Sequence, residues 1–132
     1  MEGLQLEAAG VDVRGKIVVA LRGFPKGMPS EEGAHVGSTK AKVAQQHGAI
    51  GFVSIDTLQS AKTRPWQQIL RFANEPDFAW VGKDGKAHEE APAIRARAAL
   101  HAPPAESLFA GSGRNLEAIL READKPGSTP RG

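Results

Sequence analysis

Cysteine and tyrosine are both missing from this chain, and its aromatic side chains are five phenylalanines and two tryptophans. Without cysteine there is no disulfide framework, no thiolate zinc site and no cysteine nucleophile. The same absence does not fix a compartment, because exported proteins also lack cysteine. Hydrophobic residues make up 40% and aromatics only 5% of the 132 residues, so aliphatics and alanine must fill the core. No apolar run approaches the ~20 residues that cross a bilayer, so no membrane partner is expected. Met1-Glu2-Gly3 has neither the charge nor the apolar centre of a signal peptide. Seventeen basic and fifteen acidic residues leave a formal charge of +2, with both signs interleaved along the chain. A nucleic-acid binder needs a basic stripe with stacking aromatics, and none is visible. A chain of this length forms one domain that buries roughly two-thirds of its unfolded surface.

What is present centres on residues 12–56. DVRGKIVVALRG (Asp12 to Gly23) contains the apolar run Ile17 to Leu21, too short for a buried helix and rich in β-branched residues. HGAIGFVSID (His47 to Asp56) contains a second such run, Ile50 to Ile55. Neither alternates cleanly, which predicts two strands covered on both faces in mid-sheet. Between them STKAKVAQQ (Ser38 to Gln46) predicts a short helix. Ser38 serves as its N-cap, Val43 and Ala44 lie on a buried stripe, and Gly48 supplies the left-handed stop. A right-handed strand–helix–parallel strand crossover follows.

VRGKIVVALRG, followed by a helix ending in HGAIGFVSID, resembles the core of the protease-associated (PA) domain family, with a looser likeness to about Gly111. The resemblance implies an α+β, mainly β fold: a barrel or sandwich with flanking helices around the strand–helix–strand unit. It also implies a non-catalytic accessory module of the kind inserted in zinc-dependent aminopeptidases. The parent would be an exported bacterial hydrolase, with this segment cut from it, and its zinc would sit in an absent peptidase domain. No cofactor is expected in this chain. Residues 1–125 are read as the domain and 126–132 as a linker or frayed end. The family barrel has strands before the DVRGKIVV block and after the last helix. A missing outer strand would leave an edge prone to pairing with a second copy.

Along the rest of the chain, Leu4 and Leu6 are read as part of an edge strand. Phe24 to Gly37 is predicted to be an exposed loop. Its GAHVGSTK departs from a phosphate-binding loop, since three residues separate the glycines and Lys40 follows Ser38 and Thr39. Pro65 opens a short helix with Trp66, Ile69, Leu70 and Ala73 on one face. Asp84-Gly85 predicts a tight surface turn. Ala93 to His101 alternates and predicts a strand with Arg95, Arg97 and His101 on a solvated face. Ala105 to Gly111 is read as a short helix and Asn115 to Lys125 as an amphipathic one.

No residue set here points to catalysis. His35, His47, His88 and His101 lack metal-ligand spacing, Glu31 and Glu32 are adjacent and loop-borne, and there is no G-x-S-x-G elbow. The candidate surface is the aromatic and cationic excursion of Arg64, Trp66, Arg71, Phe72, Phe78 and Trp80, joined by the Phe24 to Gly37 loop. It can contact a peptide or protein substrate, or the parent's peptidase domain. Two alternatives stand beside it. In one, the cluster only packs the excursion onto the domain or its dimer. The other is an independent small-molecule-binding domain, which needs a polar pocket beyond the carboxyl ends of Leu21 and Ile55.

Overall fold

Three parallel strands in the order β1-β2-β3 organise the molecule. The computed structural model describes residues 10–130. Strand β1 (Ile17–Leu21) pairs with β2 (Gly51–Ile55), matching Ile17 to Gly51 and Leu21 to Ile55. Strand β3 (Ala96–Leu100) pairs on the other side of β2, matching Gly51 to Ala96 and Ile55 to Leu100. Gly51 sits where space is shortest: a Cβ there would lie 2.9 Å from Ile17 Cγ1 and 3.5 Å from the Ala96 carbonyl oxygen. The fold is mixed α/β, and the sheet formed by the described residues is open rather than closed into a barrel or sandwich. Leu4 and Leu6 lie outside the described residues.

The connection from β1 to β2 is made by helix α1 (Ser30–Gln46), which starts eight residues earlier than the sequence suggests. Ser38 is therefore inside the helix, its hydroxyl donating to the His35 carbonyl at 3.0 Å, and Pro29 takes the N-cap position. Glu31 and Glu32 fall in the first turn, where the helix dipole favours them. Gly33 and Gly37 suggest a loop but have another cause. Gly33 is buried under the Phe24 ring, where a Cβ would come within 2.3 Å of the ring. Gly37 faces the Gly23 carbonyl. Residues 33–40 are thus helical, with their amides used in helix bonds rather than free to cradle a phosphate. At the far end Gly48 N–H donates to the Gln45 carbonyl and Ala49 N–H to Ala44, with Gly48 at φ +87°. That is the paired 5→2 and 6→1 closure a left-handed glycine permits. The Gly15 amide donates to the Gly48 carbonyl, fastening the start of β1 to this helix end.

Side-chain parity divides the packing in two. Val18 and Phe52, in register on one face, pack with Ala41 and Ala44 of α1, together with Val13, Ala49, Ala91 and Ile94. Leu21, Ile55 and Leu100, in register on the other, meet Ala105, Phe109, Leu116 and Leu120. These last come from helix α4 (Ala102–Ala105), the 3-10 turn Glu106–Phe109 and helix α5 (Leu116–Ala123). Asn115 caps α5 by accepting from the Ala118 amide. This second layer covers only the carboxyl end of its face. Ile17 and Val19 remain exposed, so β1 is not covered on both faces as its unbroken apolar run suggests. Strand β3 is likewise shorter than Ala93 to His101: Ile94 is buried in the preceding turn, and Ala96 and Ala98 are exposed on an edge strand.

Lys40 crosses from α1 to the end of β1, its ammonium donating to the Leu21 carbonyl at 2.6 Å. It is half-buried, and burial pushes its pKa down from 10.5 to about 8. The unfolded chain therefore binds more protons between pH 8 and 10.5, and stability rises with pH across that window. Urea unfolding is expected to show a gain on the order of 1–2 kcal/mol between pH 7.5 and 10, discounted for partial solvation. In Lys40→Met this rise should disappear. Gly33→Ala is expected to cost about 1–2 kcal/mol, because overpacking against Phe24 outweighs the gain in helix propensity. Adding Phe24→Ala should reverse the sign of that alanine's effect, read in the same unfolding assay.

Candidate functional site

Beyond the carboxyl ends of β2 and β3 a buried carboxylate joins the two strands. Asp56, the residue after β2, is 2% exposed. One carboxylate oxygen accepts the Ala102 amide at 2.6 Å and the other lies 2.8 Å from His101 Nδ1. An ionised carboxylate only accepts, so Nδ1 is the donor in this contact. Asp56 thus joins the end of β2 to the end of β3 and the start of α4. His101 is half-buried and stacks on Trp66, with ring centroids 5.2 Å apart and planes 16° from parallel. It does not lie on a solvated face as its place in the alternating pattern suggests.

Trp66 opens helix α3 (Trp66–Phe72), which has Pro65 at its N-cap position. Ahead of it lies helix α2 (Leu58–Thr63), closed by a reciprocal cap in which the Thr57 hydroxyl accepts the Ser60 amide and the Ser60 hydroxyl accepts the Thr57 amide. Arg64 follows α2 in extended conformation, and both it and Arg71 are exposed. No residue of α3 is fully buried. Phe72 is 59% exposed, and Leu70 also faces water. Residues 57–74 hold Lys62, Arg64 and Arg71 and no acid, so this part of the excursion is cationic.

The second half turns at Asp84-Gly85. Gly85 takes φ +76°, Gly82 N–H donates to the Lys86 carbonyl, and Val81 and Ala87 form an antiparallel bridge. The turn brings His88 under Trp80, whose rings stack at 4.2 Å and 15°, with the His88 amide donating to the Trp80 carbonyl. Trp80 is nevertheless 64% exposed, and Phe78 is 95% exposed. Each tryptophan is therefore held by its own histidine: Trp66 on His101 against the sheet, Trp80 on His88 at the turn. The Phe24 to Gly37 segment, which the sequence joins to this surface as a loop, is instead largely α1.

Asp56–His101 has the first two members of a charge-oriented acid–base set, but no hydroxyl is bonded to His101 among the described residues. Nor do three His, Asp or Glu side chains converge as metal ligands among them. The arrangement fixes one end of the excursion and leaves Phe72, Phe78 and Trp80 in water.

Asp56→Ala should cost about 2–4 kcal/mol in urea unfolding, since it removes a buried carboxylate, leaves the half-buried Ala102 amide and His101 ring without their partner and opens a cavity. His101→Ala should keep the sheet, lose about 1 kcal/mol, and change the near-ultraviolet circular dichroism of Trp66. The same substitution at His88 should alter the Trp80 signal while moving stability less.

Compared with known protein families, residues 3–95 match the PA domain. No curated protein and no solved structure matches the chain significantly. The matched span takes in β1, α1, β2 and the whole excursion that carries Trp66 and Trp80. The chain belongs to the PA, or protease-associated, domain family, whose members are generally non-catalytic inserts in proteases.

Proposed function

We propose that this domain is the accessory module of a zinc aminopeptidase, exported and bacterial, and that it governs substrate access through the Arg64 to Trp80 surface. The observation that carries the reading is the exposure of Phe72, Phe78 and Trp80 on a segment pinned at its base by Asp56 and His101. Monomeric proteins rarely hold several large apolar rings in water without a use for them. Aromatic and arginine side chains are also the types that dominate binding energy at interfaces. The surface would hold a peptide or protein by shape and charge complementarity, and bond breaking would belong to the peptidase domain of the same parent chain. The zinc of such a peptidase finds no fitting ligand set among the described residues.

A second reading treats the excursion as a structural or dimerisation element, and the stacking of Trp66 on His101 favours it for that one residue. Pairing of a strand edge with a second copy belongs to this reading. In the parent enzyme the double substitution Phe78→Ser with Trp80→Ala separates the two. An access surface predicts KM for a long peptide raised about tenfold, the loss of one aromatic anchor, with turnover of a dipeptide unchanged. Unchanged KM across peptide lengths, with a lowered unfolding midpoint, would reject it in favour of the structural reading.

A further inference from the structure

A separate cleft lies on the α1 face of the sheet. Helix α1 runs over β1 and β2 but leaves β3 uncovered. Between the helix and the sheet remains a cavity of about 410 Å³, within the size range of small-ligand sites. Its floor is built by register: Phe52 lies beside Arg97 and Ser54 beside Ala99, all on one face. Its wall is Ser38 and Lys40 of α1, and Arg22 closes the end beyond β1. Three cationic side chains and two hydroxyls therefore line it, and no carboxylate does.

The hydrogen-bond pattern leaves this positive charge unanswered. Lys40 has as its partner the neutral Leu21 carbonyl, although the ammonium is half-buried. Arg97 donates to another neutral group, the Ala91 carbonyl, at 3.3 Å. The side chain of Arg22 makes no hydrogen bond or ion pair among the described residues, while its amide is held by the Ile55 carbonyl at 2.7 Å. Lys40 and Arg22 are half-buried and Arg97 is exposed, and cations withdrawn from water are ordinarily paired. Burial also pushes the Lys40 pKa down to about 8.

We propose that this cleft is a binding site for a carboxylate-bearing peptide, with the carboxylate held by Lys40 and Arg22 and an apolar side chain laid on Phe52. The floor decides the class of anion: a bare inorganic oxyanion would satisfy the cations but leave the aromatic floor and its flanking alanines wet. The carboxylate comes from either a peptide C-terminus or an acidic side chain. The site shares no residue with the Arg64 to Trp80 surface, so each can fail alone.

The test is a ¹H–¹⁵N amide titration of the whole 132-residue chain with four probes. These are Ala-Ala-Phe as the free acid, Ala-Ala-Phe amide, Ala-Glu-Phe amide and inorganic phosphate. The proposal expects saturable shifts at Arg22–Gly23, Ser38–Ala41 and Arg97–Ala99 with the first or third probe. Binding by the free acid assigns the C-terminal carboxylate, and binding by the glutamyl amide assigns a side-chain carboxylate. Arg22→Gln and Lys40→Met should each weaken that probe about tenfold, the loss of one charge-assisted contact. Arg22→Gln removes a half-buried, unpaired side chain, so it reads the charge even if the lysine variant misfolds. Equal binding of the neutral amide, phosphate binding as tight as the peptide's, shifts confined to other residues, or no binding at all would overturn the proposal.

Discussion

Everything in this domain is referred to β2, the strand with a hydrogen-bonded neighbour on each side. Parallel pairing on both edges demands two crossovers, one from β1 to β2 and one from β2 to β3. The first crossover, α1, covers one face through Val18 and Phe52. The layer that follows β3 covers the carboxyl end of the other through Leu21, Ile55 and Leu100. Gly51 is the cost of being central, since a side chain there would press on Ile17 from one side and Ala96 from the other. At its other end β2 runs into Asp56, and that carboxylate ties the end of β2 to the end of β3 and the start of α4.

Much of the frame could be read from the residues because it is local. Ile17 to Leu21 and Ile50 to Ile55 are dense β-branched runs, Gly48 ends a helix by a left-handed turn, and Leu116, Ile119 and Leu120 repeat at helical spacing. Each signal lies within a few residues of its structural consequence. The start of α1 was illegible for a specific reason. Gly33 and Gly37 carry the composition of a loop, yet they are glycines because Phe24 and the Gly23 carbonyl approach the helix surface there. A glycine required by a distant neighbour looks the same in sequence as a glycine required by a turn. Helix α2 was missed through its cap, whose reciprocal partner is Ser60 rather than the usual Glu or Gln.

The candidate site was legible as a list of residue types but not as a geometry. Trp66, Phe72, Phe78 and Trp80 are conspicuous in a chain so poor in aromatics. Their supports are not, since Asp56 and His101 are 45 residues apart and no periodicity links them. His101 also follows a strand whose alternation assigns it to water. The strand ends first, and the ring turns back onto Trp66. The cationic cleft was hidden in the same way. Nothing in the spacing of Lys40 marks it as half-buried, and Arg97 is exposed on the strand face that its alternation assigns to solvent. They share a cavity because α1 stops short of β3.

The contact between Asp56 and His101 also bears on how such a domain can diversify. It joins the end of β2, where the second connection leaves the sheet, to the end of β3, so the strand to which that connection returns is held independently of what the connection contains. The entropy of closing a flexible connection grows slowly, by about 0.6 kcal/mol for each doubling of its length. Insertions between β2 and β3, short of the packed Ala91 and Ile94, would therefore tax the sheet very little. Relatives could exchange the contents of that span, and with it whatever they grasp, while keeping the same three-stranded chassis.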